Sequence, residues 1–547
     1  MIGKTYFVFA VLLSAAGAQA NEFLRDHMDL LMSQGRMAVS GVELVGVDVL
    51  PRLYSRNHFE PVWPDRERIE QLFELADKAY RVGLDPKDYP LDALRELLGA
   101  EGASTGGLPQ DEHARADLDI LASETLVRIA YQLHWGKVNP TDVDPRWNFR
   151  RGFLDDHAPA ETIRKMIDSG DLIGFADERL PRGLIYRETV KHLARYRELE
   201  QSGGWPSVPS GRILNPGDQD ARVRSLRRRL VVTGELDERF ATGPNVIDEN
   251  VEAALKRFQI RHKIEPDGAL GPASLRALNA SVEVRILQLR GTLERLRWVL
   301  DDAIHLEDLV LVNIAGQKVA YIRDSEIRWV SKVQVGLPYR TTPIFRGELD
   351  YLVVNPTWTI PPGILRRSTI PKLNEMGKAY LQDNDMMLLN REGGPVDLDH
   401  VDFGNLTPNT FPYIVRQRPG PENALGLVKF IFPNPYFVFL HDTNHRELFD
   451  ESGRTFSSGC IRLQNPFELA ELVVNKPEWN QQAFADLVDT RQTRTIHLDQ
   501  PLAVYLIYAT AMPTQKGDVE FYDDVYSRDD MLFKAMASAP RIVLPER

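Results

Sequence analysis

The stretch Phe439–Pro466, FLHDTNHRELFDESGRTFSSGCIRLQNP, decides how this chain is read. It holds Cys460, the single cysteine of 547 residues, behind Ser457-Ser458-Gly459 and ahead of Ile461-Arg462, with His441 upstream. A thiol has an ordinary pKa near 8.5, so only about a few per cent is thiolate at neutral pH. A neighbouring imidazole accepts the proton and lowers that pKa. His441 closes the apolar run YFVFLH, which reads as a strand that aims its side chain rigidly. The run IRLQNPFELAELV after Cys460 reads as a helix start, whose free amides favour a thiolate. Gly459 lets the backbone approach an incoming carbonyl closely. The local pattern is that of a Cys–His nucleophile with backbone donors at hand. The alternative is a buried thiol that acts as a small hydrophobe, which composition alone favours.

The compartment bears on that choice. The chain begins MIGKTYFVFAVLLSAAGAQANEF, with a basic start, a short apolar core and Ala18-Gln19-Ala20. This is the layout of a secretory signal over residues 1–20, too short for an ordinary membrane span, although an uncleaved anchor remains an alternative. An exported chain with one cysteine forms no internal disulfide. The apolar fraction of 43% supports real cores, and the length implies several domains. A formal net charge of -12 argues against nucleic acid as the main partner.

Residues 21–210 read as a helical scaffold. DRERIEQLFELADKAYRVG has helical spacing at Ile69, Leu72, Phe73, Leu75 and Ala76. ADLDILASETLVRIAYQLHWGKV reads as a second amphipathic helix and ETVKHLARYRELEQ as a third. His134 there reads as a packed or capping side chain. After the linker SGGWPSVPSG comes a compact three-helix unit, 211–281. Val223, Leu226 and Leu230 share one face, and Val251, Leu255 and Phe258 another. The turn Asp267-Gly268 leads to a helix with Pro272 in its first turn and Leu275 and Leu278 inward. The arginines of RVRSLRRRL read as a solvated face, with contact to an anionic polymer as the alternative. A connecting helix at 282–305 carries Ile286, Leu289, Leu293, Leu296 and Leu300.

From residue 306 to about 510 the period changes. LVLVNIAGQKVAYIRD reads as a β-hairpin, and VSKVQVG, DYLVVNPTWTIP, GLVKFIF and PYFVFLHD as further strands. Residues 362–422 interrupt them and read as a lid. Trp358 and Phe439 flank the expected cleft, as substrate contacts or as plain core. Residues 511–547 form a C-terminal segment. The predicted class is therefore multidomain α+β.

The three-helix unit, above all DGALGPASLRALN, resembles the peptidoglycan-binding module of wall enzymes. The residues His441, Ser457, Ser458, Gly459, Cys460 and Arg462 resemble the signature of the L,D-transpeptidase family with a YkuD-type catalytic domain. Much of that family has histidine where this chain has Ser458. NPTWTIP, PKL, VKFIFPN and FLHDT resemble its large Gram-negative subgroup, which has a helical scaffold, a peptidoglycan-binding module and a lid insertion. The resemblance implies a periplasmic enzyme that forms 3→3 cross-links between diaminopimelate residues of peptidoglycan stems through a cysteine thioester. In that scheme Cys460 is the nucleophile and His441 the base. The amides of Gly459 and Cys460 hold the oxyanion, and the Asp442 carbonyl orients His441. Arg462 either binds a stem carboxylate or pairs inside the domain. Ser458 lines the site or shapes its turn, while His445 belongs to a surface loop. Tetrapeptide stems are the implied donor and acceptor, carbapenems the implied covalent inhibitors, and no cofactor or metal is required. An L,D-carboxypeptidase, a lipoprotein-attaching enzyme and a non-catalytic wall-binding protein are the alternatives.

Overall fold

The computed structural model describes residues 21–99, 107–145, 147–149, 159–181, 183–303, 308–324 and 326–543. The signal segment 1–20 lies outside them. The chain forms two compact units. One comprises Met1–His262, Pro266–His305 and Ala509–Arg547, and the other Leu306–Tyr508 with Lys263–Glu265. Among the described residues no helix is long and apolar enough to cross a membrane.

The first unit is helical. Helix α1 (Arg66–Arg81) starts where the Asp65 carboxylate accepts from the Arg68 amide, and it buries Ile69, Leu72, Leu75, Ala76 and Ala79. Helix α2 (Glu112–Trp135) differs from the amphipathic helix its sequence suggests, because both its apolar and its polar residues are buried. Its polar side chains are spent on neighbouring backbone. Asp119 accepts from the amides of Val62 and Trp63. Glu124 accepts from the amides of Val45 and Gly46 and from Arg128. A buried carboxylate is tolerable only when satisfied in this way. Helix α3 (Leu184–Gln201) adds Tyr186, Leu193 and Tyr196 to the same core.

The three-helix segment has its own core. Helices α4 (Val223–Val232), α5 (Glu249–Arg261) and α6 (Pro272–Asn279) enclose Val223, Leu226, Leu230, Val251, Leu255, Phe258 and Leu278. The arginines of α4 correct the sequence reading. Arg224 and Arg228 are exposed, but Arg222, Arg227 and Arg229 are buried. Arg227 pairs with Asp248. Arg229 donates to Leu278 O and Thr233 Oγ1, both at 2.8 Å, and lies 4.1 Å from the Trp205 ring centroid. Three of the five cations are thus structural, neither solvated nor offered to a polymer.

Helix α7 (Val282–Ala303) is a core element of this unit, and Leu289 and Leu293 are fully buried. The side chain of Leu300 lies outside the described residues. The C-terminal segment joins the same unit. Thr292 donates to Ala511 O (2.9 Å), and Arg295 pairs with Asp529 (2.5 Å). Phe521 of the hairpin 511–521 stacks on His262 at 5.8 Å.

The second unit is built on strands. β1 (Asp308–Asn313) and β2 (Lys318–Arg323) form the hairpin that the alternating sequence predicts. β3 (Glu326–Gly336) and β4 (Phe345–Val354) follow. Next come β5 (Trp358–Thr359), β6 (Met386–Leu389) and β7 (Ile414–Gln417), then β8 (Val428–Ile431) and β9 (Leu440–His441). β10 (Thr455–Ser457), β11 (Ile461–Leu463) and β12 (Arg494–Ile507) complete the set. Among the described residues nine of them form one sheet in the order β10-β3-β11-β9-β8-β4-β12-β1-β2. β2 also pairs with β3, so the sheet closes on itself and leaves few free edges.

The insertion 362–422 is folded. β5, β7 and β6 form a small sheet. With the helices Ile370–Met376 and Lys378–Asp383 they enclose Leu373, Leu381, Leu388 and Val415. Trp358 packs, partly buried, against this core.

Candidate active site

The site is set by sheet register. β9 runs parallel to β11, with Leu440 opposite Ile461 and His441 opposite Arg462. On the other side of β9, antiparallel β8 sets Lys429 opposite His441. β11 pairs with β3, which sets Arg462 opposite Gln334. Lys429, His441, Arg462 and Gln334 therefore form one row across four strands, and residues paired in this way project to one face. The Ile461 amide donates to Phe439 O (2.9 Å), which brings Cys460 beside Phe439. Cys460 stands two residues before Arg462 and so shares its face. The thiol and the imidazole thus lie on neighbouring strands and the same side of the sheet.

His441 is buried at 3% exposure, and its Nδ1 lies 2.5 Å from the Asp442 carbonyl oxygen. A carbonyl only accepts, so Nδ1 carries the proton and Nε2 the lone pair. Burial, and next the positive charge of Arg462, hold the imidazole down to about 3, against the opposing pull of the Asp442 and Leu425 carbonyls. At neutral pH His441 is therefore uncharged. The Asp442 carboxylate itself turns elsewhere. It accepts from the Leu427 amide (2.9 Å) and pairs with Arg446 (2.7 Å).

Cys460 is half-buried, and its Sγ lies 3.7 Å from Phe437 O. Burial pushes the thiol up, while the Phe439 amide, Lys429 and Arg462 pull it back. The expected helix start is absent here. β11 follows Cys460 directly, and the helix Pro466–Val474 begins only after it. A helix terminus acts within about one turn, so its dipole does not serve this thiol.

The loop before Cys460 is tied down on both sides. Gly459 has φ +120°, a backbone conformation open essentially to glycine alone. Its amide donates to Ser457 Oγ (3.0 Å), and that hydroxyl donates to Cys460 O (2.5 Å). The sequence reading gave the Gly459 amide to an oxyanion, but here Ser457 already occupies it. The Cys460 amide donates to no group among the described residues. Thr342 Oγ1 donates to Gly459 O and accepts from the Gly336 amide, each at 2.9 Å. Arg340 donates to the exposed Ser458 Oγ (3.0 Å).

The remaining expected residues divide. Arg462 donates to Gln334 Oε1 (3.1 Å), a pairing inside the domain, and its buried Nε meets no partner. Phe439 adjoins Cys460 and carries Lys429 Nζ 3.8 Å from its ring centroid. Trp358 belongs to the core of the insertion. His445 is exposed and its imidazole pairs with Glu447 (3.2 Å), while its carbonyl oxygen accepts from Gln334 Nε2 of the row (3.2 Å). Sequence reasoning missed Lys429, Gln334, Thr342 and Arg340. Lys429 alternates with apolar Val428 and Phe430, the one hint that it shares a face with the chemistry. Among the described residues no group of three His, Cys, Asp or Glu is placed to hold a metal ion.

Residues 307–490 match the family described as the L,D-transpeptidase catalytic domain, YkuD, and residues 48–193 match the Scaffold domain. A putative L,D-transpeptidase of Haemophilus influenzae is 31% identical over 220 residues, which are 40% of this chain and 44% of that protein. The match thus spans less than half the length of this relative. Among solved structures, an L,D-transpeptidase from Stackebrandtia nassauensis is 14% identical with a TM-score of 0.21, covering 55% of this chain and 96% of its own. One from Xylanimonas cellulosilytica is 13% identical with a TM-score of 0.17, covering 55% and 99%. Superpositions this loose bear on no residue of the site. The segment 307–490, which holds Cys460 and His441, is thus similar to the L,D-transpeptidase catalytic domain, YkuD, and residues 48–193 are similar to the Scaffold domain.

Proposed function

We propose that this protein is an L,D-transpeptidase that joins two peptidoglycan stems by a 3→3 cross-link through a thioester on Cys460. The observation that carries the proposal is the sheet register that sets Cys460 and a neutral, carbonyl-anchored His441 on one face. In the first half-reaction Cys460 Sγ bonds to the diaminopimelate carbonyl carbon of a tetrapeptide stem. The amide bond to the terminal D-alanine breaks. His441 Nε2 takes the thiol proton and passes it to the departing amine. In the second half the side-chain amine of another stem attacks the thioester. His441 accepts the amine proton and returns it to the sulfur. The Cys460 amide is the donor that remains for the oxyanion.

The alternating apolar strands and the folded insertion support a site on a rigid frame, which such chemistry requires. Residues 1–20 support export, and periplasmic action is part of the proposal. The three-helix segment is proposed to hold the enzyme on peptidoglycan. The same thiolate would open the strained ring of a carbapenem, giving one adduct per chain. The test is mass spectrometry of products from purified disaccharide-tetrapeptides. The expected product has the mass of two donors less one D-alanine, and Cys460→Ser loses it. Monomeric tripeptide alone would replace transpeptidation with hydrolysis, and full activity in Cys460→Ser would overturn the proposal.

A further inference from the structure

Two cations flank His441 on the face that carries Cys460, and neither meets a carboxylate. Lys429 is half-buried with its ammonium over the Phe439 ring, and among the described residues it makes no ion pair. Arg462 reaches only Gln334, and its buried Nε is unsatisfied. On the far side of Lys429 the row continues through Val353 of β4 and Thr495 of β12, both uncharged. Asp442, the acid nearest in sequence, is committed to Leu427 and Arg446. The groups able to change charge along this row are thus Lys429, His441, Arg462 and Cys460. Only Cys460 can become negative.

Removing a cation from water without a counter-ion is unfavourable. A seat on an aromatic face recovers only about 0.5–2 kcal/mol of that cost. A partner anion is therefore missing from the row unless the sulfur supplies it. The geometry points to Lys429 as a positioning residue that, together with Arg462, provides the counter-charge of the Cys460 thiolate, leaving His441 as a neutral proton carrier. His441, held uncharged down to about 3, does not itself balance the thiolate at neutral pH. The inference rests on the reading of Cys460 as the nucleophile. It adds that the thiolate leans on fixed cations rather than on an imidazolium. It also explains why a row so rich in positive charge is tolerated under an uncharged histidine.

The experiment is alkylation of the full chain by iodoacetamide, an uncharged reagent, from pH 5 to 10. Cys460 is the only thiol, so the rate reports its thiolate alone. Lys429→Met should move the midpoint up by about one pH unit and slow alkylation at pH 7 about tenfold. Lys429→Arg should restore the wild-type profile. Lys429→Gln serves as a second neutral variant if Met disturbs the sheet, and near-ultraviolet circular dichroism checks both. A wild-type midpoint in folded Lys429→Met and Lys429→Gln overturns the inference. So does an unchanged midpoint with a raised KM for muropeptide, which would make Lys429 a binder of the stem carboxylate. Failure of the underlying reading looks different. Cys460→Ser would then retain muropeptide turnover, whatever the alkylation profile.

Discussion

Acid should loosen the sheet around His441. The imidazole has an ordinary pKa of 6.5 in the unfolded chain and about 3 in the folded one. Between those values the unfolded state binds a proton that the folded state refuses. Stability is therefore intact above pH 6.5 and falls as the pH drops, by up to about 1.4 kcal/mol per pH unit. From pH 6.5 to 5 the loss is about 1.6 kcal/mol, because the unfolded imidazole is already half protonated at pH 6.5. Asp442 acts in the opposite sense, because burial raises its carboxyl and the folded state takes up that proton first. His441→Gln keeps Asp442, so the difference between the two proteins isolates the histidine. The assay is hydrogen exchange by mass spectrometry on peptides covering β8, β9 and β11, at pH 6.5 and 5.0, corrected for intrinsic rates. Protection in the wild type should fall about 15-fold more than in His441→Gln. Equal losses in both would refute the claim that His441 is buried in its neutral form.

Three other outcomes follow from the geometry. His441→Ala should slow turnover about 10²–10⁴-fold, while His445→Ala, exposed and paired with Glu447, should change it less than twofold in steady-state assays. Gly459→Ala places a Cβ at φ +120°, costs about 1–3 kcal/mol locally, and should cut acylation by tenfold or more in stopped-flow measurements with the fold intact. Arg229→Met removes buried bonds to Leu278 O and Thr233 and should lower the helical unit's stability by about 2–3 kcal/mol in thermal melts. Exposed Arg224→Ala should leave those melts unchanged.

The sequence was legible where local pattern and tertiary demand agree. Asp248 caps α5 with two backbone amides, and Val251, Leu255 and Phe258 fill one core as their spacing requires. Strand β2 alternates buried Val319 and Tyr321 with half-buried neighbours because one of its faces is covered, whereas β1 is buried on both faces. Legibility failed where burial overrides polarity. The acids and arginine of α2 look like a solvent face, yet they hydrogen-bond backbone groups of distant segments, Arg128 donating to Asp88 O and Glu43 O, and those partners are invisible to periodicity. The arginines of α4 mislead for the same reason. At the site, Cys460 and His441 stood out by residue type alone. The strand β11 was hidden because three residues, Ile461–Leu463, are too few to show a period before the helix at Pro466. Lys429 lay in an ordinary strand, and only parallel pairing of β9 with β11 joins it to the thiol's row. The commitment of the Gly459 amide to Ser457 depends on a backbone turn that no spacing rule encodes.

The most direct test is the mass of the intact protein, quenched in acid seconds after mixing with a disaccharide-tetrapeptide donor. Thioesters survive acid, so an acyl-enzyme is preserved. The account predicts one adduct per chain, equal to the donor less D-alanine. Digestion should map it to the peptide that holds Cys460, and Cys460→Ala should show none. Turnover of the donor by folded protein with no adduct at any time, or with an adduct on a residue other than Cys460, would contradict it.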